Sequence, residues 1–158
     1  MKTNNTSSQL FFLAVKGIEL MQNFKFLSNN GKFEVLLFNS EIALDTFRSN
    51  KPDYLNHVQN KYFEYLEDYI RNNNISGELS DIEGFINNRF VFYANELNKI
   101  FSPTYIPGAI YNAFYETPFC LKPEFNFDIP NMILFSIPLK NMAKYVNNEV
   151  NQICKLLD

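Results

Sequence analysis

Apolar side chains recur at a period near 3.6 through most of this chain, and that recurrence constrains its fold more than any other feature. Near the start, Leu10, Leu13, Ala14, Gly17, Leu20, Met21, Phe24 and Leu27 share one helical face, and Phe11, Phe12, Val15 and Ile18 widen the apolar surface around its first half. A helix apolar nearly all round needs neighbours on several sides. The spacing predicts a central helix capped at Ser7 or Ser8, behind a frayed stretch 1–7, and stopped by Asn29-Asn30-Gly31.

Residues 32–48 carry two patterns. Phe33-Glu34-Val35-Leu36-Leu37-Phe38 reads as a buried strand, while Phe33, Leu36, Leu37, Ala43, Leu44 and Phe47 also fit helical spacing. Helix is favoured because no second strand-like segment is present to pair with, and an isolated strand leaves its backbone groups unpaired. A third helix, 52–73, opens on Pro52 and sets Leu55, Val58, Tyr62, Tyr65, Leu66 and Tyr69 against a wet face. Ser80-Asp81-Ile82-Glu83 is a capping box for a fourth, 81–101. A short helix from Pro107 to Tyr115 follows. Between Phe119 and Pro130, two prolines and Phe125, Phe127 and Ile129 suggest an extended aromatic segment. Pro138 to Leu157 predicts the last helix, with Ser136 near its cap and a turn at Met132–Phe135 before it.

At 158 residues the chain is long enough for one core, so the reading is all-α: a single helical domain over 8–158, a bundle of five to six helices with a proline- and aromatic-rich loop before the last.

Function is less legible. A single histidine and two cysteines exclude the common zinc patterns, no CxxC, HExxH, GxGxxG or GxxxxGK[ST] is present, and no catalytic residue, metal or cofactor is assigned. His57 falls on the wet face of the third helix, and Cys120 and Cys154 read as ordinary reduced thiols. With a net charge of −3 and no basic run, nucleic acid and anionic membranes are poor partners. No apolar stretch reaches the roughly 20 residues that span a bilayer, and the chain reads as soluble, unprocessed and cytoplasmic.

Charge is nevertheless unevenly spread. Glu64, Glu67, Asp68, Glu78, Asp81 and Glu83 stand against Arg71 alone, so this window carries −5 and the rest of the chain +2. Such a face can steer a basic protein partner. Tyr105, Tyr111 and Tyr115, around the short proline-bounded helix, are further interface candidates because tyrosine suits surfaces with one wet end. On the fourth helix Arg89 and Glu96 project among apolar residues beside Tyr93, where buried charges need partners or line a pocket. The expectation is a protein-binding module, in its sharpest form a small acidic inhibitor such as a bacterial immunity protein or antitoxin. The alternatives are a helical carrier of a small apolar or aromatic ligand and, third, an enzyme without a familiar motif.

Overall fold

The computed structural model describes residues 2–75, 81–120, 123 and 128–157, and the side chains of residues 2–4 are not among the described features. The regular structure is six α-helices, a 3-10 turn and a π-helical turn, with no strand among the described residues, so the fold is an all-α bundle. The helices are α1 (Lys2–Gln22), α2 (Asn29–Asn50), α3 (Leu55–Asn72), α4 (Ile82–Leu97), α5 (Gly108–Tyr111) and α6 (Ile129–Lys155). None of them is long and apolar enough to cross a membrane.

The ambiguous segment 33–38 is helical, and it occupies the middle of the bundle. α2 packs against α1, α3, α4, α6 and the π-helical turn, and it buries thirteen of its 22 residues, every one of residues 33–40 among them, so that stretch keeps no polar stripe and only Asp45, Arg48, Ser49 and Asn50 in the second half stay exposed. That all-round burial explains why the segment also resembled a strand: a continuous apolar run carries no period.

α1 starts earlier than expected. Residues 1–7 were read as frayed, yet the helix runs from Lys2, with Thr6 and Ser7 buried and the Ser7 hydroxyl donating to the Val58 carbonyl of α3 at 3.0 Å. It also ends earlier, at Gln22, because Asn29-Asn30-Gly31 opens α2 instead of stopping α1. Ser28 caps α2, accepting from the Gly31 amide at 3.1 Å. Two glycines permit close approach here. A Cβ on Gly17 would lie 2.5 Å from Asn39 Nδ2, which donates to the Ala14 carbonyl, and one on Gly31 would lie 2.4 Å from the Phe114 carbonyl.

The third helix begins as a 3-10 turn at Pro52–Tyr54, and Asp81 caps α4 by accepting from the Gly84 amide at 2.9 Å. α4 stops at Leu97, short of the expected 101. The short helix is α5 followed by the π-helical turn Asn112–Glu116, closed by the Thr117 amide on the Asn112 carbonyl at 2.7 Å. Most of the aromatic segment before the last helix, Phe125 and Phe127 included, lies outside the described residues. Pro138 does not begin that helix. Asp128 caps it, Pro130 occupies its first turn, and Pro138 lies inside it. Pro138 has no amide hydrogen to donate to the Leu134 carbonyl, and it lies on a stretch where Leu134 and Ile137 are exposed. Ser136 bonds back to the Ile133 carbonyl at 2.7 Å instead of capping.

Candidate functional site

The acidic face takes shape where the end of α3 meets the start of α4. Glu64, Glu67, Asp68, Asp81 and Glu83 are all exposed, and Glu78 lies outside the described residues. Two of the five are matched locally, Glu64 by Lys61 and Asp68 by Arg71, each three residues along α3. Exposed pairs of this kind hold little energy and leave the field of the face negative. Between the helices runs a groove of about 320 Å³ lined by Glu67, Ile70, Arg71 and Ile82, which gives the face a concavity with two isoleucines beside one carboxylate and one guanidinium.

Arg89, Tyr93 and Glu96, read from the sequence as a candidate pocket lining, each hold a hydrogen-bond partner among the described residues. Arg89 is fully buried, and its guanidinium grips Glu34 of α2 through Nε (3.0 Å to both carboxylate oxygens) and Nη2 (2.8 Å to Oε1). Glu34 is equally buried. Its oxygens also accept from the Tyr93 hydroxyl at 2.6 Å and the Phe119 amide at 2.9 Å, while Arg89 Nη2 donates to the Cys120 carbonyl at 2.6 Å. The rings of Phe85 and Phe92 cover the guanidinium, 4.9 and 5.4 Å from its carbon. Burial works against the arginine charge, but the Glu34 carboxylate more than offsets it and holds the Arg89 pKa above its usual value. Burial first, then the Glu34 charge, pushes the Tyr93 hydroxyl well up, so it stays protonated and donates.

This cluster is structural in what it does. It pins residues 119 and 120 to α2 and α4, with Phe119 held at φ 67° and its ring edge-on to Phe33 and Phe85. Glu34 is the residue that sequence reasoning missed. Its signal was present, since a single carboxylate inside the apolar run 33–38 needs an opposite charge as much as Arg89 does. Glu96 stands apart, receiving the Tyr105 hydroxyl and, at 3.4 Å, Lys99.

The three interface tyrosines turn inward. Tyr105 is spent on Glu96, the Tyr115 hydroxyl donates to the Met21 carbonyl at 3.0 Å, and Tyr111 is 1% exposed. Tyr111 Oη accepts from Lys25 at 2.7 Å and from Asn131 at 2.8 Å, and Lys25 also meets Glu116 at 3.1 Å. The Tyr111 hydrogen bond, against a smaller effect of burial, raises the Lys25 pKa. Both rings close on Phe135, centroids 5.2 and 5.9 Å away, so this group joins the start of α6 to the end of α1. His57 and Cys120 are exposed, Cys154 is buried, and both thiols are free of disulfides.

One further carboxylate titrates in an unusual range. Burial, reinforced by Asp45 and opposed by Arg48, pushes Glu41 up from 4.5 to about 7. Between those values the folded chain holds a proton that the unfolded chain has lost, so stability gains as pH is lowered through that window. Urea midpoints should therefore be higher at about pH 5.5 than at about pH 7.5, and Glu41→Gln should flatten the difference. An unchanged profile in that variant would assign the titration to another group.

Compared with family models, with curated proteins and with solved structures, the chain matches none, and its functional reading rests on this geometry.

Proposed function

We propose that this chain is a protein-binding module whose binding face is the acidic edge formed by α3 and α4. The observation that carries the reading is the groove of about 320 Å³ between Ile70 and Ile82, lined also by Glu67 and Arg71 and set among exposed carboxylates that outnumber the local cations: it offers an apolar seat in a net negative field. A basic partner gains association rate from that field and affinity from the seat. In its sharpest form the module is an inhibitor that occludes a basic protein by complementary charge, as a bacterial immunity protein or antitoxin does. The carrier reading is placed second, because Arg89 pairs with Glu34 and Glu96 with Tyr105.

The test pairs the wild-type chain with Glu64→Lys/Glu67→Lys/Asp68→Lys as capture surfaces for protein from the source cells. A basic protein held by the first and not the second, with an on-rate about tenfold lower on the variant at low salt, is the expected result. The thermal midpoint should barely move, since exposed substitutions usually change stability by about 0.5 kcal/mol or less. A partner retained equally by both surfaces would remove the acidic face from the reading.

A further inference from the structure

A groove of about 250 Å³ lies where the second half of α2 faces α6, beside the end of α4. All three helices supply apolar lining. Ile42 of α2 and Ala143 of α6 are nearly buried, Leu97 ends α4, and the ring of Phe101 just after it is 55% exposed. Opposite charges stand in the same groove, Asp45 from α2 and Lys144 from α6, without meeting each other. Asp45 pairs with Arg48 at 3.2 Å, whereas Lys144 makes no ion pair among the described residues and holds its Nζ 5.6 Å from the Phe101 ring centroid. Asn147, three residues along α6 from Lys144, accepts the Thr46 hydroxyl through Oδ1 at 2.9 Å, which leaves its amide nitrogen to donate. The α6 side thus offers an ammonium and an amide donor, the α2 side a carboxylate, and the α4 side apolar surface.

We infer that this groove binds a free α-amino acid with an apolar side chain, its carboxylate toward Lys144 and Asn147, its ammonium toward Asp45 and its side chain on Leu97 and Phe101. The match lies in the charges. A zwitterion satisfies both, whereas a simple carboxylate would face Asp45, a simple amine would face Lys144, and a chain terminus of a peptide carries only one of the two charges. Size points the same way, because pockets for drug-sized ligands run from about 300 to 1,000 Å³ and a groove below that range suits a smaller molecule. Arg48 competes for Asp45 only weakly, since both are exposed and pairs of that kind hold little energy. The groove shares no lining residue with the acidic edge of α3 and α4, so the two sites stand independently.

Leucine and phenylalanine are the probes, each beside its N-acetyl form, which lacks the ammonium, and its carboxamide form, which lacks the carboxylate. Shifts of backbone amide resonances on titrating the intact chain should localise to the groove, with a dissociation constant of about 1 mM or below for the better amino acid. Each blocked form should bind about tenfold more weakly. Asp45→Asn should remove the penalty for acetylation, Lys144→Gln should remove the penalty for amidation, and Phe101→Ala should weaken all forms together. The three positions are exposed, and circular dichroism confirms that each variant is folded. Equal binding of free and blocked forms would overturn the proposal. So would penalties that survive both charge substitutions, or the absence of any shift at about 10 mM of either amino acid.

Discussion

Glu34→Ala is expected to lower the stability of the chain by about 3–5 kcal/mol, the scale seen when one member of a buried ion pair is removed. The loss is not that of a single bond. Arg89 would keep its charge in a fully buried site, and the Tyr93 hydroxyl and Phe119 amide would lose their acceptor. Arg89→Ala should cost a similar amount for the mirrored reason. Removing both charges together, as Glu34→Leu/Arg89→Met, should recover only the part of the loss that comes from an unpaired charge, because the Tyr93 hydroxyl, the Phe119 amide and the Cys120 carbonyl still lose the partners these side chains gave them. Urea denaturation of these variants beside Glu67→Ala, an exposed control, measures it. A midpoint for Glu34→Ala equal to that of Glu67→Ala would mean that the guanidinium reaches solvent.

Phe114→Ala should be comparably damaging, at about 3–5 kcal/mol. Its ring is fully buried, and Phe38, Tyr93, Tyr115 and Phe135 surround it with centroids 5.7 to 6.4 Å away. The side chain also sits within the π-helical turn, whose backbone cannot easily close on a cavity because the Phe114 carbonyl already abuts Gly31. Truncation there should leave an unfilled space. Phe12→Ala, at a ring 68% exposed on α1, should change the midpoint little. Thermal or urea unfolding of the two variants under one condition gives the comparison, and similar losses would show that the π-helical turn relaxes to fill the gap.

What the sequence disclosed depended on whether a pattern had one face or several. α3 is amphipathic, with Val58, Tyr62 and Leu66 buried and Asn56, His57 and Glu64 exposed, and its span was legible within a few residues. α2 was legible only by exclusion, since its strand-like run 33–38 lies in a stretch, 33–40, that is buried throughout and carries no polar stripe to set its phase. The start of α6 was misplaced for a different reason. Pro130 and Pro138 both suit a first turn, and the deciding feature was Asp128, a cap three residues before the Asn131 amide it accepts from. Among site residues, Arg89 was rightly placed on an apolar face, but its partner is 55 residues away on another helix, a separation across which local spacing carries no information. The acidic window was readable as composition. The groove between Ile70 and Ile82 was not, because it exists only when two helix ends are brought together.

The central position of α2 also bears on how the molecule breathes. Because α1, α3, α4, α6 and the π-helical turn all lean on it, α2 is shielded on several sides at once. Its amide protons should therefore exchange more slowly with solvent than those near the two ends of α4, which packs mainly on α2. The acidic groove lies at one of those ends, so a partner seated there, as proposed, should slow exchange at the start of α4 as it binds.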